Sequence, residues 1–453
     1  MNDFINDKIM PPMMKFVNTK AISALRDGMI FSIPFIIVGS VFLIIANFPY
    51  TPIADYLLKT GWSAWFNQAY NASFGIMALF AVLGIGYSWT KNEGFEPLSG
   101  GITAVVGFFL VMRPSTAIQN AAGKVVIKDP SYLTGFIDRT WLGGQGMIAA
   151  IIIGLVTGWA YSWFLHKDIR IKLPDQVPAN VAASFTALIP AFAITVGWEI
   201  VYILFDQFGH TTMTQFIYKA IQTPLQGVTD SFGGAMVIAL IIPFMWFFGV
   251  HGATIIGGIV GPLLQANSLD NAKILAAHKA LTVQNGGHVV TQALLDQFGT
   301  VTGSGITIGL VIFMLVFAKS AQMKSLGALE IAPAIFNINE PILFGLPVVL
   351  NPLMFVPFFI TPAISMGLTY WAIKLGLLPL FNGIYVPWTT PAIISGFLVG
   401  SSWKTAAWQA LMLVLTFFIY LPFARTMDKQ MYAEEQANLA QEEAAKKTAS
   451  ANN

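Results

Sequence analysis

The stretch IFNINEPILFG, residues 335–345, places polar side chains inside one of the most apolar parts of the chain. Its centre holds two amides, Asn337 and Asn339, followed by the carboxylate of Glu340 and by Pro341. Proline cannot donate a backbone hydrogen bond, biases the preceding residue away from helix, and is favoured as a first helical residue. The sequence therefore predicts that Glu340 caps a new helix beginning at Pro341, with both amides on the turn before it.

The composition of the whole chain indicates a membrane protein. Of its 453 residues, 55% are hydrophobic and 10% are charged, and the mean hydropathy is +0.67. A soluble domain carries about 25% charged residues, so lipid is the expected solvent. The net charge of +2 gives no support to a nucleic-acid partner, and no HExxH-like cluster predicts a metal or cofactor. Cysteine is absent, so any phosphocysteine chemistry must come from another polypeptide.

Several apolar runs are long enough to cross a bilayer, since a spanning helix needs about 20 mostly apolar residues. The predicted spans are 29–48, 72–90, 98–113, 141–165, 181–205, 231–250, 303–322, 353–373 and 405–424. Shorter pieces rich in Gly and Pro, at 252–266, 342–350 and 391–402, are typical of re-entrant hairpins. We therefore predict an all-α polytopic membrane protein with about ten transmembrane helices, re-entrant hairpins and amphipathic helices.

The same pattern divides the chain into segments. They are a cytoplasmic or interfacial segment 1–27, an N-terminal transmembrane half 28–205 expected to serve as scaffold and dimerisation unit, an amphipathic connector 206–230, a C-terminal transmembrane half 231–425, and a cytoplasmic tail 426–453. Broken helices at membrane depth face a cavity, so the C-terminal half is predicted to bind the ligand. The distribution of Lys and Arg places both termini in the cytoplasm. The stretch 113–140 is predicted to be a small exported hairpin despite its positive charges.

The carboxylate of Glu340 is the strongest functional candidate. An ionised side chain inside the bilayer costs roughly 2.5–3.5 kcal/mol on insertion scales, and such residues are functional by default. The alternative is a helix cap at the membrane surface with no further role.

Five motifs resemble the enzyme IIC permeases of the lactose, cellobiose and chitobiose family, in the bacterial phosphoenolpyruvate-dependent sugar phosphotransferase system. They are FNINEPILFGLPVVLNPLMFVPF at 336–358, KLPDQVPANVAASFTALIPAF at 172–192, WFFGVHGA at 246–253, GSGITIGL at 303–310 and YVPWTTP at 385–391. The resemblance spans nearly the whole chain. It implies a multi-pass protein of the bacterial cell membrane and a homodimer.

The resemblance also implies a mechanism. The permease takes up a disaccharide, and phosphorylated enzyme IIB, charged through enzyme IIA, HPr and enzyme I, transfers a phosphoryl group from its cysteine to the sugar C6 hydroxyl. By motif, Glu340 and His251 are the residues expected to contact that hydroxyl. The chemistry is consistent, because an alcohol becomes a good nucleophile only when a base accepts its proton and it is held in line. No residue of this chain needs to be phosphorylated.

Further substrate-binding candidates are aromatic or polar. The motif matches point to Trp246 and to Trp388, whose flat face suits a pyranose ring, although each has the alternative of an interfacial tryptophan. Asn337 and Asn339 are candidates through their place beside Glu340. His288 begins a polar stripe with Gln292 and Asp296 at four-residue steps on one helix face, which suits a ligand or a structural role equally.

Two other functions compete with this prediction. An ion-coupled secondary sugar transporter would use Glu340 as a proton or sodium site and would deliver unmodified sugar. A membrane sensor is the third reading, but the tail has no recognisable output domain. The sequence leaves the sugar open among cellobiose, diacetylchitobiose, lactose and aryl-β-glucosides.

Overall fold

The structure of the protein is a computed structural model that is built almost entirely of helices. It describes these residues: 19–47, 51–113, 118–119, 125–127, 137–174, 176–247, 252–346, 348 and 351–451. The fold class predicted from the sequence, an all-α membrane protein, is confirmed.

The first part of the chain forms long apolar helices joined by short turns. The helices are α1 Lys20–Ile30, α2 Ile33–Ala46, α3 Thr51–Lys59, α4 Trp62–Asn71, α5 Met77–Asn92, α6 Pro97–Leu110, α7 Met147–His166 and α8 Ala179–Gly209. Turns of 3-10 helix lie at Phe74–Ile76, Arg139–Trp141 and Gly144–Gly146. Strand β1, Ile118–Gln119, pairs antiparallel with β2, Val125–Ile127, so the described part of the stretch 113–140 holds two paired strands, and the export of this stretch stays a prediction.

The second part has shorter and more broken helices. They are α9 Met213–Ile217, α10 Thr223–Thr229, α11 Phe232–Phe247, α12 Gly252–Ala276, α13 Gln292–Leu294, α14 Ile308–Val316, α15 Ala321–Ile335, α16 Glu340–Gly345, α17 Pro352–Lys374, α18 Ile394–Gly400 and α19 Trp403–Ala451. Segments of π-helix lie at Tyr218–Gln222 and Leu295–Gly299, and a 3-10 turn lies at Val283–Asn285. The broken helices therefore gather in the second part, and short helices overlap two of the three pieces predicted to be re-entrant, α16 at 342–350 and α18 at 391–402.

Within the described residues, five helical stretches are long and apolar enough to cross a membrane. They are Trp62–Asn92, Gly144–His166, Val181–Gly209, Leu353–Lys374 and Trp403–Gln441. The pair α1 and α2, bent by 42°, and the pair Met213–Thr229 and α11, bent by 74°, raise the number to as many as seven. The count of about ten crossings stays a prediction.

The structure corrects the bounds of two predicted pieces. Apart from the first two residues of α15, the expected span 303–322 contains only the short helix α14, because Gly303 and Gly305 take positive φ angles of 92° and 83° that interrupt the helix. The expected short piece 252–266 is instead the 25-residue helix α12. It continues through polar residues because Asn267 and Asn271 donate to the backbone carbonyls of Val290 and His288.

Two apolar cores organise the molecule. One is built from α5 to α8 and contains Phe108, Ile153 and Trp198. The other joins Ile36 of α2 to side chains of the second part such as Phe298. Because α1 and α2 pack with the second part, the bend between them lies next to the broken helices.

Three elements of the first part meet at one end through charged side chains. Glu93, after α5, accepts a 2.7 Å contact from Lys20 of α1 and a 2.9 Å contact from His166 of α7. These partners lower the pKa of Glu93 although burial alone would raise it. The start of α1 and the end of α7 therefore lie on the same side, as the distribution of basic residues predicts.

The final helix supports the segment that carries Glu340. Asp428 of α19 accepts hydrogen bonds from the backbone N–H groups of Lys319, at 2.8 Å, and Ser320, at 2.9 Å. Glu435 accepts from the Ser320 hydroxyl at 2.6 Å and from the backbone N–H of Gln322 at 3.0 Å. Carboxylates satisfy the orphan N–H groups of a helix start, so α19 fixes the beginning of α15.

Candidate functional site

A cavity of about 440 Å³ lies between the bend of α1 and α2 and the broken helices of the second part. Its volume falls within the usual range of small-molecule sites, about 300–1,000 Å³. The lining residues are Met29, Ile30, Ser32, Ile33, Ile36, Trp246, Ala253, Gln265, Gln292, Asp296, Thr300, Gly303, Ser304, Asn337, Asn339, Glu340, Tyr385 and Trp388. Five of the predicted site residues are therefore brought together: Trp246, Asn337, Asn339, Glu340 and Trp388.

Glu340 reaches the cavity from the start of a short helix. Helix α15 ends at Ile335, and α16 begins at Glu340 with Pro341 in its first turn, one residue from the predicted start. The Glu340 side chain is half-buried, and its Oε2 accepts from the backbone N–H of Asn339 at 3.2 Å. The helix begins here because proline suits the first turn and a carboxylate is favoured at the positive end of the helix dipole.

Asn337 and Asn339 hold three loops together, which explains why the sequence places two amides before Glu340. The Asn337 Oδ1 accepts from the backbone N–H of Thr302 at 2.6 Å, and its Nδ2 donates to the carbonyls of Trp388 and, at 2.9 Å, Thr390. These bonds join the Glu340 turn to both neighbouring walls of the cavity. We call residues Asn337 to Glu340 the amide turn.

The second amide makes the same kind of contact closer to the carboxylate. Asn339 Nδ2 donates to the carbonyl of Ser304 at 2.7 Å and to the Thr307 hydroxyl at 3.0 Å. Glycine at 303 is required, because a Cβ there would overlap the Asn339 side chain. Both amide side chains therefore hold the neighbouring backbone in place through hydrogen bonds, and both also line the cavity.

Backbone strain is concentrated in these loops. Thr302, Ile306 and Asn337 have positive φ angles of 59°, 52° and 64°. Asparagine tolerates this conformation, but β-branched Thr and Ile do so at a cost of about 1–3 kcal/mol. Strain of this kind persists where surrounding contacts fix the backbone, which the bonds of the amide turn do here.

A polar pair forms another part of the cavity wall. Gln292 of α13 donates from Nε2 to Oδ1 of Asp296 at 2.9 Å, and both side chains line the cavity. The four-residue spacing in the sequence indicated that they share a face. The π-helical segment Leu295–Gly299 turns Asp296 towards the cavity beside Thr300.

Aromatic side chains form two further parts of the wall. Trp388 is 50% exposed, whereas Trp246, near the end of α11, is 4% exposed. Tyr385 belongs to the same loop as Trp388, and its backbone N–H donates to the Ser40 hydroxyl of α2 at 2.7 Å. The aromatic loop is therefore attached to the first part of the chain as well as to the amide turn.

His288 lies elsewhere, in a cluster that we call the histidine clasp: His288, Asp230 and Asp270. The His288 Nδ1 is 3.0 Å from Asp230 Oδ2, and its Nε2 is 3.5 Å from Asp270 Oδ2. Burial alone would lower the pKa of His288, but the hydrogen bonds and charges of the two carboxylates raise this pKa to about 9. Asp230 Oδ1 also accepts from the backbone N–H groups of Val289 and Val290, at 2.8 and 2.6 Å.

The structure does not bring His288 to the cavity. The clasp instead links the α10–α11 junction, helix α12 and the loop before α13. His251 lies outside the described residues, so its predicted place beside Glu340 stays a prediction. Trp246 and Ala253, which precede and follow it in the sequence, both line the cavity.

Sequence reasoning missed the wall contributed by the first part of the chain. Met29, Ser32 and Ile33 line the cavity where α1 and α2 bend, and the Ser32 hydroxyl donates to the Met29 carbonyl at 2.6 Å. A serine followed by proline at residue 34, inside an apolar run, is the signal that could have indicated the bend.

A half-buried carboxylate, aromatic faces and an amide–carboxylate pair around one cavity in a helical membrane protein define a permease for a polar solute. The comparisons with known proteins agree. The family model described as "Phosphotransferase system, EIIC" matches residues 26–362. The chain therefore belongs to the EIIC family of the phosphotransferase system and is a multi-pass membrane sugar permease.

Relatives of known type match almost end to end. The lichenan permease IIC component of Bacillus subtilis (strain 168) is 36% identical over 440 residues, covering 96% of this chain and 95% of that protein. The cellobiose-specific EIIC component of Geobacillus stearothermophilus is 34% identical over 438 residues, 96% of each chain. The crystal structure of the transporter ChbC, the IIC component from the N,N'-diacetylchitobiose-specific phosphotransferase system, matches with a TM-score of 0.88 and 34% identity, over 96% of this chain and 99% of that chain.

Proposed function

We propose that this permease translocates a β-linked disaccharide of the cellobiose or diacetylchitobiose type and presents its C6 hydroxyl to phosphorylated enzyme IIB. The observation that carries the proposal is the Glu340 carboxylate, which stands on the wall of a 440 Å³ cavity. A base in this place can act on a hydroxyl of a captive sugar. The substrates named for the relatives support the choice of sugar.

The phosphoryl transfer is written as an in-line displacement. Glu340 accepts the proton of the C6 hydroxyl as the oxygen bonds to phosphorus. The bond between phosphorus and the cysteine sulfur of enzyme IIB breaks, and the thiolate leaves with the electron pair. Glu340 then releases its proton to water. His251, by family resemblance, contacts the same hydroxyl.

The remaining walls are assigned to holding the sugar. Trp388 and Trp246 offer flat apolar faces that suit pyranose rings. Gln292 and Asp296 offer hydrogen-bonding groups to ring hydroxyls. Asn337 and Asn339 contribute mainly by fixing the position of Glu340 and Trp388, since their amides already bind neighbouring backbone.

For the orientation in the membrane and for the oligomeric state, the proposal adopts the sequence predictions. The end where Lys20, Glu93 and His166 meet is assigned to the cytoplasm, because positive charge favours that side. The predicted homodimer and the supply of phosphoryl groups through enzyme I, HPr and enzyme IIA remain part of this proposal.

Reconstitution tests the proposed function. The purified permease is placed in vesicles with enzyme I, HPr, enzyme IIA, a matching enzyme IIB and phosphoenolpyruvate, and sugar products are identified by mass spectrometry. We expect disaccharide 6-phosphate to form only when enzyme IIB is present. Accumulation of unmodified sugar driven by a proton or sodium gradient alone would favour the ion-coupled transporter and contradict the proposal.

A further inference from the structure

A second carboxyl group lies behind Glu340. Glu330, on α15, has a relative exposure of 0%, and the sequence analysis did not single it out. Within the described part of the chain, neither of its carboxyl oxygens has a hydrogen-bond partner. It does not line the cavity, so no substrate contact accounts for it.

The surroundings of Glu330 connect it to the proposed reaction. Helix α15 packs on α16, and the charge of Glu340 acts on the Glu330 carboxyl. The backbone N–H of Ile342, in the first turn of α16, also interacts with it, without reaching hydrogen-bond geometry. Glu330 on α15 thus lies next to the start of α16, where Glu340 faces the cavity.

Among the residues that the structure describes, the other charged side chains on α15 and on the helices packed against it do not contact Glu330. Helix α14, which also packs on α15, carries no ionisable side chain. From α19, Asp428 binds the backbone just before α15 and Glu435 binds its first turn, and Lys324 on α15 itself is exposed. Glu340 is therefore the ionisable neighbour that matters for Glu330.

A carboxylate buried without partners is costly, and a second negative charge next to it adds to the cost. Two carboxyl groups in such a place share protons, and the more buried group keeps its proton while the more solvated one ionises. Here Glu330 is fully buried and Glu340 faces the cavity.

We propose that Glu330 is a positioning residue that stays protonated during phosphorylation, so that the pair carries one negative charge, located on Glu340 as the base. When Glu330 loses its proton as the pH rises, a second negative charge arises next to Glu340. That charge opposes approach of the anionic phosphoryl group from enzyme IIB, and transfer slows. The inference rests on the proposed role of Glu340.

The pH dependence of sugar phosphorylation tests this inference. The rate with saturating enzyme IIB is measured from acidic to alkaline pH for the wild type and for Glu330→Gln, whose neutral amide imitates the protonated acid. We expect the wild-type kcat to fall on the alkaline side and the variant to avoid this fall, a difference of about tenfold at alkaline pH, with the KM for sugar unchanged. Glu199→Gln, at an exposed position of α8, is the matched control and should follow the wild type.

Two results would overturn the inference: the same alkaline fall in Glu330→Gln, or a loss of activity in folded Glu330→Gln at every pH, which would mean that an ionisable group is needed there. If the amide prevents folding, Glu330→Met supplies a neutral side chain of similar size for the same measurement. Failure of the proposed function is separate, because the wild type would then form no sugar phosphate at any pH.

Discussion

The amide turn and the histidine clasp are both groups of polar side chains in the apolar second part of the chain. In the clasp, His288 is placed between the carboxylates of Asp230 and Asp270, so its charge is paired inside the cluster. In the amide turn, the amides bind backbone but the Glu340 carboxylate is left facing a cavity. Charged side chains that pair with one another indicate a structural role, whereas a charged side chain that faces a cavity indicates a role towards a ligand.

The largest expected effect is the loss of phosphorylation when the Glu340 carboxylate of the amide turn is removed. Glu340→Gln keeps the shape of the side chain but removes the base, so we expect phosphorylation to fall by about 100-fold or more. Sugar binding, measured by calorimetry in detergent, should change little. Full activity of this variant would show that the carboxylate of the amide turn has no more chemical role than those of the clasp.

The next effect concerns the structural bonds of the amide turn itself. Asn337→Ala leaves the Thr302 N–H and the carbonyls of Trp388 and Thr390 without their partner and places alanine at a φ of 64°. An unpaired buried group costs about 1–3 kcal/mol, so we expect stability to fall by about 3 kcal/mol or more, with about tenfold weaker sugar binding. Thermal unfolding and calorimetry measure the two effects. Asn285→Ala, in an exposed loop, is the control, and an equally stable, tight-binding Asn337→Ala would contradict the assignment.

The histidine clasp should make the stability of the protein depend on pH without changing its affinity for the sugar. Because the folded-state pKa of His288 is raised to about 9, its stabilising contribution is complete below the unfolded pKa of about 6.5 and is lost as pH rises through 9. We expect the free energy of unfolding to fall over this window by on the order of 2 kcal/mol. Asp230→Asn should flatten most of this fall and leave sugar affinity unchanged.

Thermal unfolding across this pH range measures the clasp effect. Asp55→Asn, at an exposed position of α3, is the matched control and should retain the wild-type slope. A marked loss of sugar affinity in Asp230→Asn with an unchanged pH slope would reverse the distinction between the two regions.

The smallest effect is expected for the aromatic wall. Trp388→Ala removes a half-exposed ring from the cavity and should weaken disaccharide binding about five- to tenfold. Trp403→Ala, at a position that is 76% exposed and outside the cavity lining, should bind normally. Equal affinities of the two variants would rule out stacking on Trp388.

The sequence predicts local features of the site well, because these depend on neighbouring residues. Pro341 and Glu340 start a helix within one residue of the expected position. The sequence cannot predict which distant groups satisfy a polar side chain. The partners of Asn337 are 35 to 53 residues away, and those of the His288 ring lie at the α10–α11 junction and on α12.

Predictions about the fold likewise succeed where they depend on local sequence and fail where they depend on distant contacts. Composition is enough to indicate a membrane protein, since it reflects the solvent around the chain, and the length of the apolar runs indicates that the spans are helices. The interruption of the expected span 303–322 depends on backbone conformations at glycines, and the participation of α1 and α2 in the cavity depends on long-range packing. Glu330 has a local signal, a lone carboxylate in an apolar helix, but its closeness to Glu340 becomes visible only after folding.

The hydrogen bond between the Tyr385 backbone and the Ser40 hydroxyl joins the loop of Trp388 to α2, a helix of the first part of the chain that packs in the same apolar core as the second part. One neutral hydrogen bond contributes only about 0.5–1.5 kcal/mol, and a serine hydroxyl readily finds another partner. If the Trp388 loop and the amide turn moved along α2, only this one hydrogen bond between described residues would have to break at the junction. The hydrogen bonds of Asn337 would stay intact, because the loops that they join would move together.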